Sequence, residues 1–304
     1  MTVPSVFWTG KLSLVMKLMV NINSLLALIT GDARDTAAMK HRTKLGYEGS
    51  CSDHVTHYDD FGLGHYSKIA TNLLQEVDVR GKEVLDVGCG TGIISILALR
   101  RGATKLTCGD VSEYMLGRCQ EKIIAQGYSG EKVNFRQLDA EWLPYADHSF
   151  DAVVSGMILG LIPNQQKVVS EMARVLRAGG VLAFSTHGPE CYWETSDAAF
   201  RAIPKRYTLG YRVEYWPRKE KEIHRLLVRA GLVNIKTRKL FWQDNFQTGG
   251  QAYDFFASVS ASWWNAKFPP RKIEEISKKT RDYFDHKEVT RITQDIILAF
   301  GHKL

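Results

Sequence analysis

Cysteine is scarce in this sequence, and no two cysteines form a CxxC pair. The 304 residues contain five: Cys51, Cys89, Cys108, Cys119 and Cys191. The odd number and the irregular spacing argue against a disulfide framework, so we expect reduced thiols in a cytoplasmic protein. The length allows a sizeable core, which suits one large domain or a core domain with an attached subdomain.

A long uninterrupted apolar run is also lacking. The most apolar stretch, residues 12–31, is broken by Lys17, Asn21 and Asn23, whereas a spanning helix needs about twenty mostly apolar residues. It has neither the clean apolar run nor the cleavage site of a signal peptide. We predict a helix that packs on the main domain, with no transmembrane span. Peripheral membrane contact and a role in a homodimer remain alternatives.

Acidic residues are few in one long segment. Residues 201–239 carry twelve Lys and Arg but only three Asp and Glu. Such a bias can face an anionic substrate, RNA or an anionic membrane, although charge runs more often form a solvated helix face. An anionic group on a small acceptor could be bound by basic residues early in this segment: Arg201, Lys205, Arg206 and Arg212.

Helix and strand patterns alternate from about residue 64. Strands are indicated at 83–88, 105–110, 133–139, 150–156 and 180–188, and a helix at 164–180. This alternation predicts an α/β fold with a mostly parallel sheet covered by helices on both faces. We expect an N-terminal helical arm and lid over 1–63 and a core over 64–304.

The pattern loosens after residue 188. We predict a strand at 232–242, a final strand at 295–303, and cap insertions at about 189–219 and 247–290, the second with two helices. Five of the seven tryptophans fall within 189–268. They could wall an apolar ligand pocket, or form a satellite core or a dimer seam.

The segment VLDVGCGTGIIS, residues 84–95, follows a predicted strand and opens a predicted helix. Its glycines, Gly88, Gly90 and Gly92, allow a tight turn and close approach of a ligand to the backbone. Ile93 stands where the dinucleotide motif GxGxxG has its last glycine, and no phosphate-binding lysine follows. The pattern therefore favours a nucleoside site that is neither a P-loop nor a dinucleotide site.

Acidic residues recur at the ends of the next two strands. Asp110 follows Gly92 by 18 residues and could accept hydrogen bonds from both hydroxyls of a ribose. Asp139 ends the third strand and could accept one from an adenine amino group. With Asp86, these carboxylates suit a nucleoside ligand that is cationic and lacks phosphate.

Four segments, VLDVGCGTG, CGDVSEYML, QLDAEWLPYADHSFDAVVSGMILGLI and EMARVLRAGGVLAFST, give the sequence a family likeness. It resembles the class I S-adenosylmethionine-dependent methyltransferases, in particular the type-11 group with the ubiquinone and menaquinone methyltransferases. The resemblance covers about residues 54–188 well and the remainder loosely. It implies a Rossmann-like fold, S-adenosylmethionine (SAM) as cofactor and S-adenosylhomocysteine as product.

The resemblance also implies cofactor contacts. The methionine end would be held by Asp86, Gly88, Gly90, Thr91 and Gly92, with Ser155 and Gly156 nearby. Asp110 would bind the ribose, and the adenine would be bordered by Val111, Met115, Asp139, Ala140 and Glu141.

Methyl transfer needs mainly alignment and exclusion of water, with a general base only for a protonated acceptor. His187, after the fifth strand, is the first candidate base, and Tyr58 is a second catalytic candidate; His65 and Cys191 are weaker. The motifs of nucleobase amine and cytosine-C5 enzymes are missing, which makes a nucleic acid substrate unlikely. We expect a small apolar or aromatic acceptor, with RNA or protein methylation and non-catalytic SAM binding as alternatives.

The stretch SDHVTHYDDFGLGHY, residues 52–66, is rich in metal-ligand side chains. Gly62 and Gly64 interrupt any helix that would bring His65 round to His54 and His57, so no metal site is predicted. In the resembling family a Tyr-Asp pair near this position belongs to a lid over the cofactor. We therefore predict that Tyr58 and Tyr66 close over the methionine end.

Overall fold

A computed structural model describes residues 40–41, 43–44, 47–48, 64–194, 219–265 and 270–304 of the chain. The predicted arm before residue 40, Tyr58, the histidines His54 and His57, and the basic residues Arg201, Lys205, Arg206 and Arg212 lie outside these ranges.

Seven strands of the described ranges form one mixed sheet. They are β1 (Glu83–Val87), β2 (Lys105–Asp110), β3 (Val133–Gln137), β4 (Phe150–Gly156), β5 (Leu176–His187), β6 (Leu232–Asn245) and β7 (Arg291–Lys303). Their order in the sheet is β3-β2-β1-β4-β5-β7-β6. β1 to β5 run parallel, while β7 lies antiparallel between β5 and β6. This confirms the predicted Rossmann-like α/β fold with a mostly parallel sheet.

Helices cover both faces of the sheet, and a separate hydrophobic core lies under each set. The helices are α1 (His65–Gln75), α2 (Ile93–Arg100), α3 (Glu113–Ala125), α4 (Gln165–Arg174), α5 (Glu220–Arg229), α6 (Gly249–Asn265) and α7 (Pro270–His286). One core joins the sheet to α1, α2, α3, α6 and α7, and the other joins it to α4 and α5.

Helix α4 is shorter than predicted. Its Asn164 cap is as expected, with the side chain accepting from Lys167 N–H at 3.2 Å, but the helix ends at Arg174 rather than near residue 180. Val175 and Leu176 are fully buried, and the Val175 carbonyl accepts from Phe150 N–H at 3.0 Å. Pairing with β4 therefore captures these residues before the glycines that the sequence indicated as the stop.

The segment 247–290, predicted as a cap insertion, contains two helices. Helices α6 and α7 lie between β6 and β7 in the chain, and Phe256 stacks on Phe284 with ring centroids 6.1 Å apart. The last strand begins at Arg291, four residues before the predicted start, because it pairs along the whole length of β6.

The parallel register brings the carboxyl ends of the central strands to one edge. Val87 of β1 lies opposite Gly109 of β2, and Gly156 of β4 lies opposite Ser185 of β5. In a sheet of this topology that edge is where ligands bind.

Candidate functional site

The glycine loop leaves the end of β1 in a left-handed conformation at Gly88, Gly90 and Gly92. A β-carbon on Gly92 would meet the Cys119 sulfur at 2.7 Å, whereas one on Gly90 would meet nothing within 4 Å. Gly92 is therefore needed for packing of the loop on α3. Gly90 faces open space, which leaves its backbone accessible to a ligand.

Asp110 ties the loop to the end of β2. One carboxylate oxygen accepts from Gly90 N–H at 2.9 Å, and the other accepts from Ser112 N–H at 2.9 Å. Burial raises the pKa of Asp110, although these backbone donors act to lower it. Each oxygen makes one of these bonds and has a further lone pair, so the carboxylate can still accept from a pair of ribose hydroxyls.

Asp86 lies beneath the loop. The Ser95 hydroxyl of α2 donates to one carboxylate oxygen at 2.6 Å, while the other oxygen is buried without a hydrogen-bond partner. Burial raises the pKa of Asp86 to about 8. A cationic donor near the loop would relieve the cost of this orphaned acceptor.

Asp139 and Glu141 follow β3 and share one cation. The Lys40 ammonium contacts both carboxylates, each at 2.7 Å, and Glu141 N–H donates to Asp139 at 2.9 Å. Burial would lower the pKa of Lys40, but its bonds to the two carboxylates outweigh that effect and raise it. One oxygen of Glu141 remains buried without a partner.

Three further residues of the N-terminal segment lie on the same edge. Thr43 donates to Leu161 O at 3.4 Å, and the Tyr47 carbonyl accepts from the Ser112 hydroxyl at 2.9 Å. The Glu48 carboxylate accepts from Glu113 N–H at 3.2 Å. Sequence reasoning missed these contacts and Lys40, because no motif marks residues that meet partners 65 to 118 positions away.

Six further predicted cofactor residues lie in or after the glycine loop, β2, β3 and β4. The Ser155 hydroxyl donates to Val87 O at 2.7 Å, and a β-carbon on Gly156 would meet Ile94 at 2.8 Å, so both fix the end of β4 against β1 and α2. The others are Thr91, Met115 and Ala140, which are buried, and Val111, which is exposed.

An aromatic cluster lies at the carboxyl end of β5. His65, at the start of α1, contacts four rings: Tyr66 at 4.9 Å, Trp242 at 5.4 Å, Tyr192 at 6.2 Å and Phe255 at 6.3 Å between centroids. We call these five residues the aromatic cluster. They come from α1, α6, β6 and the turn after β5, and the four rings around His65 pack into the hydrophobic core on this face of the sheet.

His187, the first candidate base, ends β5 beside this cluster. Its ring meets Tyr192 edge-on, with centroids 5.1 Å apart. Tyr192 hydroxyl lies 3.2 Å from His65 Nε2. Burial, followed by the charge of Lys68, lowers the pKa of His65 to about 3, so this histidine is neutral at physiological pH.

Basic residues on β6 are partly neutralised within the chain. Lys236 and Arg238 contact Glu76 at 2.8 and 3.1 Å, and Lys239 lies 3.3 Å from the buried Asp295. This part of the basic segment therefore offers less free charge to an anionic polymer than the sequence suggests.

In the described part of the chain, no group of three or more His, Cys, Asp or Glu side chains could hold a metal ion. None of the helices described is long and apolar enough to cross a membrane.

Comparison with known proteins gives a consistent family signal. A family model for a methyltransferase domain matches residues 85–184. An uncharacterized protein of Mycobacterium tuberculosis is 30% identical over 222 residues, covering 70% of this chain and 79% of that protein. A phosphatidylethanolamine N-methyltransferase of Cereibacter sphaeroides is 36% identical over 162 residues, covering 51% and 76%.

Two solved structures share the fold. The YcgJ protein of Bacillus subtilis has a TM-score of 0.55 at 17% identity, covering 79% of this chain and 98% of that one. The [4+2]-cyclase SpnF has a TM-score of 0.51 at 20% identity, covering 78% and 81%. These two likenesses concern the fold alone.

Proposed function

The chain belongs to the class I S-adenosylmethionine-dependent methyltransferases of the type-11 group, and from this we propose that it methylates a small apolar or aromatic molecule. The single observation that carries the proposal is the aromatic cluster, which lies beside His187 at the end of β5. Apolar walls with a few polar groups are typical of small-molecule sites.

The residues at the glycine loop fit the cofactor. Gly90 leaves open space, Asp110 can accept from the ribose, and Asp86 has an unpaired oxygen for the cationic methionine end. Asp139 and Glu141 would border the adenine, under the segment that carries Lys40. When bound, SAM supplies a methyl group that is already activated by the positively charged sulfur.

The protein's own contribution is mainly positional. The aromatic cluster would hold the acceptor in line with the methyl group and exclude water. His187 is the proposed general base, because it is half-buried, stands at the ligand edge and contacts Tyr192. Tyr58 stays a proposed lid residue and catalytic candidate outside the described ranges.

The proposed compartment is supported by the cysteines. Those in the described ranges are buried thiols outside any disulfide, namely Cys89, Cys108, Cys119 and Cys191, which supports a reducing, cytoplasmic location. The pairing of Lys236 and Arg238 with Glu76 supports a small molecule over a nucleic acid as substrate.

The test is transfer of label from methyl-labelled SAM. The full-length protein is incubated with fractionated cell metabolites, with bulk RNA and with protein from the same cells, and products are identified by mass spectrometry. We expect label in a small apolar or aromatic compound. Label found only in RNA or protein, or no transfer to any fraction, contradicts the proposal.

A further inference from the structure

We propose that Lys40 retains the cofactor: its ammonium bridges Asp139 and Glu141, holds the N-terminal segment against the nucleoside half of the site and thereby slows cofactor release. This inference rests on the proposed function and adds residues to its cofactor site. It begins from one ammonium that contacts two carboxylates, each at 2.7 Å. The side chains of Lys40 and Glu141 are 28% and 10% exposed, so solvent screens this bridge only in part.

Four residues attach the N-terminal segment to this edge, and we call them the strap residues: Lys40, Thr43, Tyr47 and Glu48. They reach both sides of the glycine loop. Lys40 binds the carboxylates that follow β3, and the Tyr47 carbonyl accepts from the Ser112 hydroxyl after β2 at 2.9 Å. On the other side, Thr43 donates to a carbonyl after β4 at 3.4 Å. Since β1 lies between β2 and β4 in the sheet, these anchors straddle the loop that follows β1.

Tyr47 links the strap residues to the proposed ribose and adenine sites. The Ser112 hydroxyl donates to the Tyr47 carbonyl, and the Ser112 N–H donates to Asp110 at 2.9 Å. Tyr47 also packs against Met115, which is predicted to border the adenine. An aromatic side chain beside the adenine offers a surface on which the base can stack.

Lys40 leaves acceptors for the adenine amino group. It contacts one oxygen of each carboxylate, while the Asp139 side chain is 40% exposed and the other Glu141 oxygen has no hydrogen-bond partner. Because a carboxylate can accept several hydrogen bonds, the ammonium and the amino group can share the pair. Space also remains nearby, since a β-carbon on Gly90 would meet nothing within 4 Å and Val111 is 38% exposed.

The bridge should affect the release of the cofactor more than its capture. Release from the closed site requires both bonds of Lys40 to break, whereas capture begins from a site in which they are already broken. Such bonds are charge-assisted and stronger than neutral ones. A segment that must open before the ligand leaves commonly sets the rate of release.

Three variants test Lys40, with bound labelled S-adenosylhomocysteine chased by an excess of the unlabelled compound. Lys40→Met should release the label about tenfold faster than the wild type, because it loses a partly exposed charge-assisted bridge. Lys40→Arg keeps the charge and can bind both carboxylates, so it should restore most of the slow release. Lys44→Met is the matched control, because it removes an equal charge from the same segment, and the ammonium on the carboxylates is that of Lys40.

A double-mutant cycle with Glu141→Gln checks that Lys40 acts through the carboxylates. Glu141→Gln already removes half of the bridge, so adding Lys40→Met should speed release only about threefold further. A full tenfold effect in that background would overturn the bridge. Unchanged release from Lys40→Met, or an equal effect of Lys44→Met, would overturn the role of Lys40. Slower release from Lys40→Met would also overturn it, because the ammonium would then compete with the adenine.

The release rate is measured without turnover, which separates this inference from the proposed function. Methyl transfer to a small molecule together with unchanged release from Lys40→Met overturns this inference and leaves the proposed function standing. Faster release from Lys40→Met, with transfer to no small molecule, supports the role of Lys40 and overturns the proposed function.

Discussion

The two halves of the ligand edge differ in charge: carboxyl groups lie at the ends of β1, β2 and β3, and aromatic rings lie at the end of β5. In the proposed cofactor half, at the ends of β1, β2 and β3, four carboxyl groups meet backbone N–H groups, a serine and one lysine: Asp86, Asp110, Asp139 and Glu141. In the proposed acceptor half, at the end of β5, four aromatic rings surround His65, which burial keeps neutral. We propose that the first half binds a cationic nucleoside and that the second binds an acceptor without positive charge.

The strongest loss is expected at Asp110, in the proposed cofactor half. Asp110→Ala should weaken SAM binding about 100-fold, because it removes the two charge-assisted hydrogen bonds proposed to the ribose and releases Gly90 N–H. Isothermal titration calorimetry measures this. Asp147→Asn, an exposed aspartate on the opposite edge, is the control, and an equal loss there would remove the special role of Asp110.

Substitutions of Gly90 and Gly92 should affect different properties, SAM binding in the first case and stability in the second. Gly92→Ala should lower the free energy of unfolding by about 2 kcal/mol, because its β-carbon would press on the Cys119 sulfur. Gly90→Ala, in open space, should cost only about 1 kcal/mol for its left-handed backbone yet impair SAM binding more. Urea denaturation and SAM titration of both variants give the comparison.

A larger loss of SAM binding in Gly92→Ala than in Gly90→Ala would show that the ligand does not approach Gly90. Adding Cys119→Ala to Gly92→Ala should restore part of the lost stability, because the sulfur that blocks the new methyl group is gone.

His65, in the proposed acceptor half, should make the folded protein less stable in acid. The pKa of His65 is about 3 in the folded chain, below its ordinary 6.5, so unfolding takes up a proton between these values and stability falls as pH falls. Between pH 6 and pH 5 the wild type should lose about 1 kcal/mol more than His65→Gln.

The wild type must be compared with His65→Gln because Asp86 also titrates, its pKa being raised to about 8 by burial. Above its ordinary pKa of about 3.8, Asp86 makes the folded protein more stable as pH falls, which is opposite to the effect of His65. This contribution is the same in both proteins and cancels in the comparison. The free energy of unfolding is measured by urea denaturation at several pH values. An equal decrease with falling pH in the wild type and in His65→Gln would mean that His65 is charged in the folded state.

A smaller effect is expected from the charge of Lys68. Followed from pH 6.5 down to pH 3, Lys68→Met should reduce the total acid-dependent loss by about 0.5 kcal/mol, because Lys68 is the second cause of the low pKa of His65 and burial is the first. The same denaturation series checks it. A larger effect than that of His65→Gln would place the titrating group elsewhere.

The two halves also differ in how far the sequence could predict them. Gly88, Gly90 and Asp110 lie close together in the chain, and their spacing after two buried strands indicated a nucleoside site. The pair of His65 and Tyr192 is 127 residues apart, and Trp242 joins from β6. No local pattern encodes such a contact, so the sequence suggested only that aromatic residues were abundant there.

The early end of α4 and the position of Lys40 could not be predicted for a related reason. Val175 and Leu176 fit a helix by pattern, and tertiary pairing with β4 decides otherwise. No local pattern marks Lys40, because its two carboxylate partners, each 2.7 Å away, are about 100 residues further along the chain.

A single experiment can test whether cofactor binding and methyl transfer depend on different halves of the ligand edge. Wild type and His187→Gln are loaded with methyl-labelled SAM, metabolite extract is added, and both bound and transferred label are measured. We predict equal bound label and about 100-fold slower transfer in the variant, because His187 is the proposed general base. Loss of bound label together with transfer, or unchanged transfer, would contradict the separation of a cofactor half from an acceptor half.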